Sequence, residues 1–169
     1  MASLRRCVIV SVLFVAFGGP AFTLVYIPFW ITRFRIPAGE PVWQMVLGAM
    51  LIAAGLTPAF ESMKRFIVVG RGTLVPAVPT EHLVVSGFYR HVRNPMYAGI
   101  LIALAGEMLL FRSRDMVVFS LLLWLGFHLF ICFYEEPTLK RRYGKDYSRF
   151  KRYVPRWLPR FSPWHGDGE

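Results

Sequence analysis

The sequence predicts an all-α membrane protein: a single domain of about four transmembrane helices, followed by a C-terminal amphipathic helix on the cytoplasmic side. Three observations carry that reading. Hydrophobic residues fill 55% of the 169 positions and charged residues only 18%, whereas a soluble chain would be about 45–50% apolar and about 25% charged. The apolar residues fall in blocks. The basic residues, which bring the net charge to +10, cluster beside those blocks, and this favours membrane lipid headgroups over nucleic acid as partners. Cys7 and Cys132 form no metal or disulfide pattern, and there is no glycine-rich phosphate loop.

A span needs about 20 mainly apolar residues. Cys7–Ile31 is the first, and Gly18-Gly19-Pro20 is expected to kink it, because proline removes a backbone donor. Arg5-Arg6, the apolar stretch and small residues near Ala21 also resemble a signal peptide. The apolar run continues to Ile31, which favours an uncleaved helix. Val42–Phe60 is the second span. The loop Glu61–Asn94 contains "FIVVGRGTLVP" and "TEHLVVSG", which Gly and Pro break into short extended or interfacial pieces. Pro95–Phe111 is a short third span and Met116–Tyr134 the fourth. The linker between them, Arg112–Asp115, forces an antiparallel hairpin. Thr138–Tyr153 is basic and amphipathic, with Tyr143, Tyr147, Phe150 and Tyr153 among its charges, and is expected to lie on a membrane surface. The ending "PRWLPRFSPWHGDGE" is Pro-rich and aromatic and is expected to follow the interface.

Lys and Arg set the orientation. Sixteen of the twenty lie in the N-terminal tail, the second loop and the C-terminal segment, against four in the other two loops. The positive-inside rule then places both termini and the second loop in the cytoplasm. "YRHVRNPMY" (Tyr89–Tyr97) and the C-terminal segment therefore share a face that soluble cofactors reach.

Two clusters could carry chemistry. In the first, Asn94 is expected to cap the third span and Pro95 to occupy its first position. Such a helix start suits an anion, and Tyr89 and Tyr97 add aromatic faces. In the second, Glu135-Glu136 close the fourth span. His128, Cys132 and Glu135 fall at i, i+4 and i+7, on one helical face. Carboxylates at a helix C-terminus oppose the macrodipole, so a cationic ligand or nearby arginines should compensate, with Lys140, Arg141 and Arg142 at hand. Glu107, one turn from the far end of span three, is expected to snorkel outward and pair with Arg112 and Arg114. His128 reads first as hydrogen-bonded packing.

Together, "HLVVSGFYRHVRNPMYAG" and "EEPTLKRRYGKDYSRFKRYVPRWLP" resemble the isoprenylcysteine carboxyl methyltransferases and their phospholipid methyltransferase relatives. The shared features are Gly87-Phe88-Tyr89, Arg93-Asn94-Pro95-Met96-Tyr97, Glu135-Glu136, Gly144-Lys145-Asp146-Tyr147 and Val154-Pro155, within about residues 81–159. The resemblance implies an enzyme, a methyltransferase that binds S-adenosylmethionine at the cytoplasmic face and acts on a lipid-like or prenylated amphipathic substrate. Carried over residue by residue, it implies cofactor contacts at Glu81, His82, Leu83, Val84, Tyr89, Asn94, Pro95, Tyr97 and Glu135, with Glu135 and Glu136 as the catalytic carboxylates and no metal. The chain departs from the pattern twice. Asn94 replaces the family histidine, and Phe130-Ile131 stand where the prenylcysteine enzymes carry an arginine that suits a substrate carboxylate. Two other readings compete: a nicotinamide-dependent reductase of the sterol-reductase type, and a non-catalytic membrane module that binds lipid or a partner.

Overall fold

A computed structural model of the chain describes residues 2–17, 19–39, 41–70 and 82–166, with residues 2–7 described by their helical path alone. The described residues are helical with irregular connections and contain no strand, as expected of an all-α membrane protein. The helices are α1 (Ala2–Phe17), α2 (Ile27–Thr32), α3 (Val42–Val68), α4 (Pro95–Phe111), α5 (Arg114–Phe130) and α6 (Glu136–Tyr153). Three helical stretches, Val8–Thr32, Val42–Val68 and Arg114–Tyr153, are long and apolar enough to cross a membrane. Pro95–Phe111 is apolar and shorter, at 17 residues. The outward surfaces of these helices are exposed apolar side chains such as Val46, Met50, Leu121, Leu122 and Phe133, as a lipid-facing surface requires.

The expected kink at Gly18-Gly19-Pro20 takes a different form, and Gly18 itself lies outside the described residues. The departure from α geometry comes at Phe22–Tyr26, a π-helical turn in which Ile27 N–H bonds to Phe22 O, five residues back. Pro28 follows at once. A proline ring crowds the carbonyl four residues earlier and offers it no N–H, and one widened turn relieves both problems.

The same device recurs at Ile131–Glu135, where Glu136 N–H bonds to Ile131 O just ahead of Pro137. Span four therefore does not stop at the Glu pair. It runs through the widened turn into α6 and breaks at Gly144, whose φ of 53° and ψ of −116° are not helical. From Arg114 to Tyr143, at about 1.5 Å per residue, the helix is about 45 Å long, more than the hydrocarbon thickness of about 30 Å. Span two also runs further than Phe60. Residues Glu61–Val68, read from sequence as loop, continue α3 and carry Lys64 and Arg65 on helix.

The antiparallel pair α3–α4 is built on small residues. A Cβ at Gly55 would collide with the backbone of Gly99 and Ala103, and one at Gly48 would meet Leu110 and the Gly106 carbonyl. Helices in lipid gain most from this close approach, since apolar burial alone does not separate helix contact from lipid contact. At one end Gln44 Nε2 donates to Leu109 O at 2.8 Å. Glu107 does not snorkel. It is buried at 7% exposure, and its Oε2 has no hydrogen-bond partner among the described residues.

Candidate active site

The chain after α6 returns to the start of α4. Arg93 N–H donates to Pro155 O at 2.9 Å, Arg160 N–H to His91 O at 2.9 Å and Trp164 N–H to Arg90 O at 3.0 Å. His91 Nδ1 donates to Arg160 O at 2.8 Å. Residues 154–164 thus form a strap bound to residues 90–94, and the two motif clusters become one structure. The strap is not simply an interfacial tail: Val154 and Trp164 are buried, although Leu158 and Phe161 remain exposed. Asn94 sits at the N-cap position of α4, yet its side chain does not cap the helix. Its Nδ2 donates instead to Arg156 O at 3.2 Å, holding the strap. Pro95 does take the first helical position and is buried there.

The amphipathic α6 also differs from expectation. Tyr147 and Phe150, read as membrane-surface residues, are each 3% exposed and pack with Val84, Tyr89, Val154 and Trp164. The strap and the 82–89 segment cover the apolar face that α6 was expected to turn toward lipid.

The Glu pair divides at the π-turn. Glu136 takes the strap side, where Arg93 Nη1 and Arg156 Nε lie 2.8 Å from Oε1 and Lys151 Nζ lies 2.5 Å from Oε2. Lys140, Arg141 and Arg142 are not among these partners and remain exposed. The macrodipole argument also fails, because the helix does not end at the Glu pair but continues through it. The Glu136 carboxylate in turn pushes the Arg156 guanidinium pKa upward through their hydrogen bond.

Glu135 faces the other way. Its Oε2 accepts from the Tyr97 hydroxyl at 3.0 Å. The expected face of His128, Cys132 and Glu135 is broken, because a widened turn rotates less per residue and brings Glu135 into line with Phe127 instead. Both reach Tyr97, whose ring centroid lies 4.7 Å from that of Phe127. His128 packs elsewhere, accepting from Trp157 Nε1 at 3.2 Å and lying 3.6 Å from Cys132 Sγ.

Glu135 opens onto a pocket lined also by Leu83, Val84, Tyr89 and Asn94. These are five of the residues singled out in the sequence. His82 is exposed at the edge of this segment. Pro95 and Tyr97 stand behind the wall rather than in it, and Glu81 lies outside the described residues. The sequence reading missed Phe66, Arg93, Leu139, Tyr147 and Phe150, which complete the lining. The spacing of Leu139, Tyr143, Tyr147 and Phe150 at i, i+4, i+8 and i+11 was the available signal. Burial, and secondarily the nearby Glu135, push the Tyr89 phenol pKa well up, so it stays a neutral hydroxyl. The free space is about 30 Å³, room for roughly one water-sized group.

The comparisons with known proteins bear on this site. The family described as phospholipid methyltransferase matches residues 43–146. The chain belongs to the phospholipid methyltransferase family. The family match takes in α3, α4, α5, the π-turn and the first part of α6, and stops short of the strap. Among curated relatives, the "Protein-S-isoprenylcysteine O-methyltransferase" of Schizosaccharomyces pombe is 32% identical over 117 residues, covering 68% of this chain and 46% of that protein. The "Protein-S-isoprenylcysteine O-methyltransferase B" of Arabidopsis thaliana is 29% identical over 133 residues, covering 77% of this chain and 60% of that protein. A "Probable protein-S-isoprenylcysteine O-methyltransferase" of Oryza sativa subsp. indica is 36% identical over 78 residues, 46% of this chain and 40% of that protein. The chain thus spans about half the length of the curated relatives it matches. No solved structure gives a significant match. For a chain of this family, the division of labour between Glu135 and Glu136 is the feature that needs a chemical account.

Proposed function

We propose that this chain is a membrane-embedded methyltransferase that uses S-adenosylmethionine and acts on a lipid-like or prenylated amphipathic substrate. The observation that carries the reading is Glu135, a carboxylate held by Tyr97 at the edge of an aromatic pocket that α3, the 82–94 segment and α6 assemble together. The donor set suits the cofactor. Phe66, Tyr89, Tyr147 and Phe150 offer aromatic faces to an adenine or a sulfonium. Arg93 Nε, a buried donor without a partner among the described residues, suits a carboxylate, and Glu135 suits a ribose hydroxyl or an ammonium. Because the pocket is narrow, entry requires its walls to part.

S-adenosylmethionine supplies a methyl group already activated on sulfur. The chain's task is therefore alignment and exclusion of water. Glu135 and Tyr97 form one hydrogen-bonded unit that orients the ligand's polar end. Leu83, Val84 and Leu139 keep the pocket dry. Glu136 acts through Arg93, holding that guanidinium at the pocket wall. Phe130 and Ile131 stand where the prenylcysteine enzymes carry an arginine suited to a substrate carboxylate. Ile131 is fully buried, and Phe130 packs on Tyr134 with centroids 5.1 Å apart. A lipid amine, a thiol or another uncharged nucleophile fits that wall better.

Titration calorimetry of the purified chain against S-adenosylmethionine and a nicotinamide dinucleotide is the direct test. Binding of the first alone is expected. Binding of the second alone would reverse the reading, and binding of neither would favour a non-catalytic module. Both termini are proposed to face the cytoplasm, as is the pocket. A reporter after Glu169 that is active only in the bacterial periplasm should stay silent, and strong activity would remove the proposed cofactor access.

A further inference from the structure

The turn Gly87–Arg90 has two sides. Tyr89 goes inward to the pocket described above. Phe88, Arg90 and His91 go the other way, into a second, larger cleft of about 450 Å³ shared with Glu61 and Arg65 of α3 and with Ser86. Nothing in the proposed methyl transfer uses it. Its walls carry buried polar atoms without hydrogen-bond partners among the described residues: Arg90 Nε, Ser86 Oγ and Glu61 Oε2. Such atoms are costly to leave unpaired, and here three of them belong to residues of one cavity.

We propose that this cleft is a binding site for the phosphate group of a membrane phospholipid headgroup. Arg90 Nε and Ser86 Oγ are donors, and a phosphodiester offers the acceptors they lack. Arg65 adds a second guanidinium, ion-paired with Glu61 through Oε1. Glu61 Oε2 is left as an acceptor for a headgroup hydroxyl, as on a glycerol. His91 is fixed at the wall by its bond to the Arg160 carbonyl. The surroundings favour a lipid over a soluble phosphate ester. The cleft lies where the apolar part of α3 gives way to Lys64 and Arg65, and exposed Phe60 and Phe88 stand at that level. An apolar rim beside a basic floor is the arrangement of a headgroup site.

The test uses the full chain in a non-ionic detergent, with unfolding followed by tryptophan fluorescence. The probes are dihexanoyl phosphatidylglycerol, dihexanoylglycerol, glycerol phosphate and inorganic phosphate. The phosphatidylglycerol should raise the unfolding temperature saturably, while dihexanoylglycerol should not. Arg90→Gln and Ser86→Ala should each raise the half-saturating lipid concentration about tenfold, the loss of one charge-assisted hydrogen bond. Exposed Arg141→Gln should leave it unchanged. Unfolding temperatures without lipid show whether each variant folds, and Ser86→Ala, which removes only an unpartnered hydroxyl, decides the matter where Arg90→Gln does not fold. Saturation by inorganic phosphate or glycerol phosphate at the same concentration overturns the lipid source. An equal response to dihexanoylglycerol, or no change in both variants, overturns the site. Displacement of the lipid by S-adenosylmethionine assigns the cleft to the cofactor and also overturns it.

Discussion

Glu135 and Glu136 are consecutive in sequence and turn their carboxylates to different partners. On the strap side, Glu136 is surrounded by Arg93, Lys151 and Arg156, drawn from three segments. On the pocket side, Glu135 bonds one neutral donor, Tyr97, and shares a lining of rings and aliphatic groups with Arg93 and Asn94. One carboxylate is used up in joining parts of the protein. The other keeps hydrogen-bonding capacity to spare in a narrow pocket, where an added partner counts most. A pair of acidic residues in a motif is thus two different devices, and the widened turn before Pro137 divides them.

Glu136→Gln should have the largest effect, and the effect should be on stability. It leaves Arg93 and Arg156 facing a neutral amide. Breaking a buried pair from one side costs about 3–5 kcal/mol, and the low end, about 3 kcal/mol, is expected here because Lys151 is half exposed and screened. Thermal unfolding in detergent measures it. A loss under about 1 kcal/mol, the range of surface pairs, would erase the contrast between the two carboxylates.

Glu135→Gln should do the reverse. Tyr97 can still donate to the amide oxygen, so unfolding should barely move. Cofactor affinity should fall by about 1–3 kcal/mol, the worth of a hydrogen bond to a charged group. Calorimetry on the same preparation reads both. Unchanged affinity would return Glu135 to a structural role.

Tyr97 refines the pocket side. Tyr97→Phe removes only the hydroxyl that orients Glu135 and should cost about 0.5–1.5 kcal/mol in affinity. Tyr97→Ala also removes the ring against Phe127, and should cost about 1–2 kcal/mol more if an aromatic wall next to the cofactor matters. Because Tyr97 stands behind Glu135 rather than in the wall, a stability loss with unchanged affinity in the Ala variant would make the ring a support alone.

What the sequence made legible follows from what local pattern encodes. Apolar block length located the spans, and the short third one, because crossing a bilayer is a constraint on consecutive residues. Pro95 at the helix start was legible for the same local reason. The sequence motifs named Leu83, Val84, Tyr89, Asn94 and Glu135, and all five line one pocket. The strap was not legible, because its backbone bonds join residues 62 to 74 apart and no periodicity announces such pairing. Phe66 was hidden by ending span two at Phe60. Tyr147 and Phe150 carried the right helical spacing, but an amphipathic helix does not say whether lipid or protein covers its apolar face. Glu107 shows the converse: the cost of a buried carboxylate argued for snorkelling, and packing overrode it.

The smallest expected effect tests the cause of the division itself. Pro137 was visible in the sequence directly after the Glu pair, inside a helix that continues, and a proline there must be accommodated by the preceding turn. Pro28 stands in the same relation to the π-turn at Phe22–Tyr26, so the arrangement occurs twice in this chain. Pro58, inside α3, has no such turn ahead of it, so proline permits the widened turn without compelling it. Pro137→Ala restores the missing N–H and relieves the crowding. If Pro137 sustains the turn, a regular ladder should re-form through Ile131–Glu135, rotating Glu135 from Phe127 toward His128. The Tyr97 bond would then be lost, at about 0.5–1.5 kcal/mol of cofactor affinity. Better helix propensity would offset part of the cost in stability. The check is a two-mutation cycle. In a Tyr97→Phe background, Pro137→Ala should cost no further affinity, because the bond it breaks is already absent. No loss from Pro137→Ala in either background would mean that the turn is set by the packing of Ile131 and the strap, and additive losses would mean that Pro137 acts on affinity by a route other than the Tyr97 bond.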